Sequence, residues 1–208
     1  MQVLGITGPS GAGKSIFCGY LREAGCVILD CDAIYHSLIA APSDCTRELA
    51  APENFGPGIL NEDGSVNRRA LAAVVFAAGN ESKLETLNRI SHRHVTVEIL
   101  RKLDALRASP CPPPAVLIDA PLLFQAGMES LCDKTVALVA GRKNRLSRLS
   151  ERDRLDEVSL NARLDAAPPD TYYTARADVT VVNDMGLPEL KRKALKLLRA
   201  LSLDAKPE

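Results

Sequence analysis

The residues most able to do chemistry lie near the start of the chain, in GPSGAGKS, from Gly8 to Ser15. Their spacing fits G-x-x-x-x-G-K-[ST], with Gly8, Gly13, Lys14 and Ser15 at the fixed positions. Glycines let the backbone turn so that consecutive N–H groups point at one anion, and a helix starting at Lys14 adds its positive end. Lys14 would reach the β- and γ-phosphates of a nucleotide, and the Ser15 hydroxyl would ligate Mg²⁺. Gly8, Gly11, Ala12, Gly13, Lys14, Ser15 and Ile16 are therefore the nucleotide-binding candidates. In a chain this long such a match arises by chance about once in a hundred.

Three further sets could act on what the loop holds. Asp30 and Asp32, in ILDCD, are two apart, so in an extended chain they project to the same side. One of them could orient or deprotonate an acceptor hydroxyl. Asp32 could equally N-cap a helix over AIYHSLI, and the two readings are compatible. Arg145, Arg148 and Arg152 follow i, i+3, i+7 spacing and share one helix face. They read either as a clamp on phosphates or as a solvated face beside Glu151. On a helix beginning at Glu81, His92 points among Leu84, Val95, Ile99 and Leu106, hence inward. The ordinary explanation of such a histidine is a satisfied core residue. His36 and His94 carry no comparable signal.

Elements that would position these residues follow from the hydrophobic pattern. VLGIT is a short aliphatic run read as a buried strand, and KSIFCGYLREAG has helical spacing and ends at Gly25 as a cap. CVILDCD reads as a second buried strand. Strand, loop, helix and strand make a right-handed βαβ crossover. From 33 to about 109 the pattern is mostly helical, interrupted by the turn-rich GPGILNEDG and closed by PCPPP, where a helix cannot continue. AVLIDAPLLF, KTVALVA and DVTVVND read as three more strands. KNRLSRLSERD and DEVSLNARLDA are short polar helices, and LPELKRKALKLLRALSL is a closing amphipathic one. The expectation is a single α/β domain over 1–208: a doubly wound, five-stranded parallel sheet flanked by helices. A helical substrate-binding insertion spans about 33–109, and a short lid about 141–176.

Composition narrows the partners. The chain has 208 residues, 46% of them hydrophobic, with 26 Lys+Arg against 26 Asp+Glu. That zero balance argues against a nucleic-acid or membrane-surface binder. Six cysteines lack C-x-x-C spacing, which argues against zinc or a redox dithiol, and they read as reduced thiols acting as small apolar residues. No charged-then-apolar leader and no run of eighteen apolar residues occurs, so a cytoplasmic protein is expected, monomeric or a small homo-oligomer.

A phosphate loop serves switches, motors and kinases alike. No N-K-x-D stretch is present to read guanine, and the chain is short for a motor. A kinase needs an acceptor pocket, a base and neutralising cations, and candidates for each are present. The order of motifs resembles the bacterial dephospho-CoA kinase family from Gly5 to about Gly186. The matching pieces are GITGPSGAGKS, ILDCD, FGPGILNEDGSVNRRAL, LNRISH, DAPLLF, RLSRLSERD and ARADVTVVND. The resemblance implies a P-loop kinase fold and transfer of the ATP γ-phosphate to the ribose 3′-hydroxyl of dephospho-CoA, with Mg²⁺. It implies Asp32 as base, Lys14 and the loop on the phosphates, and Arg68 and His92 in the dephospho-CoA region. It puts Arg148 and Arg152 in the lid, Arg148 with a catalytic part, and Asn183 beside the adenine. The chain departs from the family at Ile16 (commonly Thr), Arg93 (Pro), Gln125 (Glu) and Ala167 (Gln). A nucleoside or nucleoside-monophosphate kinase, or a nucleotide-binding regulator impaired in catalysis, are the alternatives.

Overall fold

The computed structural model describes residues 1–77, 79–153 and 156–204. In chain order the elements are β1 (Gln2–Thr7), α1 (Lys14–Glu23), β2 (Val27–Asp30), α2 (Cys31–Ile39), α3 (Asp44–Leu49), α4 (Arg68–Val75) and α5 (Glu81–Arg107). They continue as β3 (Ala115–Asp119), β4 (Lys134–Val139), α6 (Arg142–Asp153), α7 (Glu157–Asp165), α8 (Asp170–Thr174), β5 (Val179–Val182) and α9 (Leu187–Asp204). Two compact units emerge: Met1–Leu29 together with the chain from Ser109 onward, and Asp30–Ala108.

The first unit is built on a five-stranded parallel sheet in the order β2-β3-β1-β4-β5. β1 lies at its centre, pairing Val3 with Val116 on one side and Thr7 with Ala137 on the other. Strands covered on both faces should be continuously apolar. β1, β3 and β4 are, with Leu4, Ile6, Leu117, Ile118, Val136 and Leu138 all fully buried. β2 is an edge strand and only half-buried, which corrects the expectation of a second buried strand. α1 buries Phe17, Cys18 and Leu21 on the sheet beside Leu190 and Ala194 of α9. Each fully buried large side chain contributes about 1.5–3 kcal/mol. Gly25, at φ 94°, ends α1 by donating its N–H to the Arg22 carbonyl at 2.9 Å.

Within the second unit, α2, α3 and α4 pack on the long helix α5 around Ile39, Leu49, Ile59, Leu71, Val75 and Ile90. The turn-rich stretch forms a tight reversal in which Leu60 bridges Val66, and Asp63 accepts from the Ser65 N–H at 2.9 Å.

Local patterns misplaced two boundaries and missed one helix. β2 stops at Asp30, whose carboxylate accepts from the Ala33 N–H at 2.9 Å and so caps α2. Cys31 and Asp32 are therefore helical, and the extended-chain alignment of Asp30 with Asp32 does not hold. β3 ends at Asp119, and PLLF is a turn rather than strand. α8 is an additional short helix that the pattern did not reveal. Residues 154 and 155 of the expected lid lie outside the described residues.

Candidate active site

The phosphate loop runs from the end of β1 to the start of α1. Gly13 precedes the first helical residue with φ 100°, a conformation that L side chains rarely adopt. Gly8, at φ 137°, passes so close to β4 that a Cβ there would stand 2.0 Å from the Leu138 carbonyl oxygen. Lys14 reaches back across the loop and donates to the Gly8 carbonyl at 2.9 Å. The Ala12 N–H closes a turn onto Pro9 O at 3.2 Å.

The loop is held by its backbone oxygens. Three successive carbonyl oxygens accept from side chains far along the chain. Ser10 O takes Arg145 Nε at 3.0 Å, Gly11 O takes Arg148 Nη1 at 3.2 Å, and Ala12 O takes Asn183 Nδ2 at 2.8 Å. In a trans peptide the C=O and the following N–H point opposite ways. Fixing these oxygens turns the N–H groups of Gly11 and Gly13 away from α6 and the end of β5. α6 is itself anchored: Asp184, just past β5, accepts from Gly141 N–H and Asn144 Nδ2, each at 2.8 Å. Those bonds, the Asn144 amide first, hold the Asp184 carboxyl below the usual carboxylate range.

The arginine stripe thus divides. Arg145 is buried, with only 8% of its side chain exposed, and Arg148 is half-buried with Nη2 on Asn183 O at 2.8 Å. Neither belongs to a solvated face. Arg152 is exposed and forked onto Asp153, at 2.6 and 2.9 Å, where Arg163 also bonds. Asn183 is 5% exposed, and its side chain faces the loop.

One residue that sequence reasoning passed over is Asp119. It closes β3 in register with Ile6, two residues before Gly8. The signal was an acid ending the apolar run AVLID on a strand that pairs with β1. Ser15 is the second residue of α1, exposed at its amino end, and Ile16 beside it is 45% exposed.

Asp32, Arg68 and His92 all fall in the second unit. Asp32 is exposed in the first turn of α2, and since Asp30 is the cap, the capping alternative for Asp32 is removed. Arg68 is the exposed first residue of α4, whose cap is Asn67. His92 is half-buried in the middle of α5, and burial pushes its imidazole below the ordinary histidine value. Its expected neighbour Leu84 is 40% exposed rather than inward. His94, which carried no signal, donates from Nε2 to the Glu48 carboxylate at 2.8 Å, and Arg93 bonds the same carboxylate. His94 first and then Arg93 hold the Glu48 carboxyl low. Arg93 in place of proline leaves α5 unbroken from Glu81 to Arg107 and ties it to α3.

Sheet order, loop and lysine define the class first, a P-loop nucleotide-binding protein. Comparison with known proteins narrows it. The dephospho-CoA kinase family model matches residues 2–189. Dephospho-CoA kinase of Geobacillus kaustophilus is 33% identical over 94% of both chains. That of Anaeromyxobacter dehalogenans is 36% identical over 97% of this chain and 92% of its own. Among solved structures, TT1252 from Thermus thermophilus superposes with a TM-score of 0.77 at 29% identity, covering 96% of each chain. Dephospho-CoA kinase from Campylobacter jejuni shares the fold at 0.69 and 21% identity, with 98% of each chain covered. The chain belongs to the dephospho-CoA kinase family.

Proposed function

We propose that the chain transfers the γ-phosphoryl group of ATP to the ribose 3′-hydroxyl of dephospho-CoA, giving coenzyme A and ADP, the last step of coenzyme A synthesis. The observation that carries the donor half is the loop, whose carbonyls are tied outward so that N–H groups are left for phosphate. Family membership across residues 2–189 carries the acceptor. In this reading Lys14 leaves Gly8 O to meet the β- and γ-phosphates, and the positive end of α1 adds to its charge. Asp32 accepts the proton of the 3′-hydroxyl as the oxygen attacks. Arg68 and His92 bind the acceptor, and Arg148 and Arg152 offset charge that builds on the transferring group. Burial favours the neutral form of the His92 imidazole.

Ser15 and Asp119 suit Mg²⁺. They offer a hydroxyl and a carboxylate, and hard oxygens few in number are what that ion takes beside substrate phosphates. Among the described residues no group of three His, Cys, Asp or Glu could hold a metal unaided. Bound there, Mg²⁺ would screen the phosphate oxygens as charge develops. A cytoplasmic setting completes the proposal, since it supplies ATP and keeps the six free cysteines as thiols. No helix among the described residues is long and apolar enough to cross a membrane.

The test is an acceptor panel of dephospho-CoA, nucleosides and nucleoside monophosphates, with ATP and Mg²⁺, following ADP release. Turnover confined to dephospho-CoA is expected, and preference for another acceptor would overturn the reading. Asp32→Asn should keep ATP binding and lose about 10²–10⁴-fold in kcat. Parent-like turnover by this variant would remove Asp32 as base.

A further inference from the structure

Arg145 is the member of the stripe to which the family resemblance gives no part. Its surroundings are those of a built device rather than a surface charge. Nε donates to Ser10 O at 3.0 Å and Nη1 to Asp170 Oδ1 at 3.2 Å, while Nη2 is buried without a hydrogen-bond partner among the described residues. The backbone beneath it lies against the loop: a Cβ on Gly11 would stand 2.9 Å from the Arg145 carbonyl oxygen and 3.1 Å from its Cα. Any side chain at position 11 would push α6 away. One face of the Ser10–Gly11 peptide is thus packed on α6, and its carbonyl is bonded from α6. Asp170, at the start of α8, is 40% exposed and holds the other limb of the guanidinium. A planar fork can serve two acceptors lying in different directions; an ammonium on a flexible stem holds one such geometry less firmly.

We propose that Arg145 is a positioning residue of the donor site. It fixes the Ser10–Gly11 peptide so that the Gly11 N–H is presented to nucleotide phosphate, and Asp170 holds the guanidinium in that pose. Arg145 touches no phosphate; it acts through the loop. Without it the peptide is free to rotate, and the loop must be ordered at the moment of binding. The loss therefore falls on ATP affinity and not on the transfer step. Asp170 acts at one remove and has the smaller effect.

The inference rests on the loop being an ATP site, and the experiment separates the two. Parent, Arg145→Met, Arg145→Lys and Asp170→Ala are titrated by calorimetry with a non-hydrolysable ATP analogue and Mg²⁺, and assayed for KM and kcat. Arg145→Met should weaken analogue binding about tenfold or more, as loss of a charge-assisted hydrogen bond implies. It should raise KM for ATP in parallel and leave kcat at saturating ATP and the acceptor KM within about twofold. Arg145→Lys should recover part of the affinity, and Asp170→Ala should lose about threefold. A merely structural role would lower the melting temperature and the active fraction while the folded molecules kept the parent Kd. That result, or equal Kd in parent and variants, would overturn the inference alone. If Arg145→Met yields no folded protein, the variant of half-buried Asp170 decides by the same Kd comparison. A parent that does not bind the analogue would overturn the donor-site reading and this inference with it.

Discussion

Replacement of Asn183 by alanine separates two roles that the same residue could fill beside a nucleotide. Its amide donates to Ala12 O at 2.8 Å, and both residues are buried, Asn183 at 5% exposure and Ala12 at 0%. Truncation leaves a buried carbonyl without its donor, which costs about 1–3 kcal/mol. The void left by the amide adds to this in the same direction. The main-chain bonds survive, because Arg148 donates to Asn183 O and Asn183 N–H donates to Val139 O. A loss of about 2 kcal/mol in all is therefore expected, read as a lower urea midpoint with an unchanged slope. To the extent that the loop must be re-ordered on binding, the same energy raises KM for ATP, by up to about tenfold per 1.4 kcal/mol. ATP and GTP should suffer alike, since the bond that is lost faces the loop and not the base. Asn183→Asp should be worse than alanine, because it sets a carboxylate oxygen against the Ala12 oxygen. Unchanged stability together with a collapsed preference for ATP over GTP would refute the brace and make the side chain a reader of adenine.

Two other positions give further tests. Ile16 is 45% exposed, so Ile16→Thr should change stability by less than about 0.5 kcal/mol. It restores the hydroxyl usual in the family, and KM for ATP should fall about tenfold; an unchanged KM would show that position 16 does not reach the phosphates. His92 has its pKa lowered by burial, so between about pH 6.5 and that lower value the unfolded chain takes up a proton that the folded one does not. Its contribution is then fully present above about pH 6.5 and is lost as pH falls through the window, at no more than about 1.4 kcal/mol per pH unit. His92→Gln should flatten that part of a stability-against-pH curve, and an unaltered acid slope would assign it to other groups.

What was legible in the sequence was local. The loop motif, the apolar runs of β1, β3 and β4 and the helical period of α1 each state their structure within a dozen residues. Local reading failed where two local rules compete. ILDCD alternates like a strand, yet Asp30 is also a preferred cap, and the cap won because the Ala33 N–H needs an acceptor. Helical spacing put three arginines on one face but could not say what that face meets. Arg145 finds Ser10 135 residues earlier, and Arg148 finds Gly11 at a separation of 137. His94 and Glu48 are 46 residues apart, and neither has a neighbour in sequence that announces the other.

The deeper reason is that a carbonyl acceptor has no residue type. A motif such as GPSGAGKS records where side chains must be absent, and it is silent about which groups take the oxygens turned out of the loop. Sheet order supplies that information. With β1 between β3 and β4, the segments following β4 and β5 stand on one flank of the loop, and the end of β3 stands on the other. All three braces come from the first flank: Arg145 and Arg148 after β4, and Asn183 after β5. Asp119, the carboxylate assigned to Mg²⁺ in the proposed reaction, comes from the second. Oxygens held on one side leave N–H groups for the other, so the topology that places strands beside β1 also decides which face of the loop is offered to phosphate.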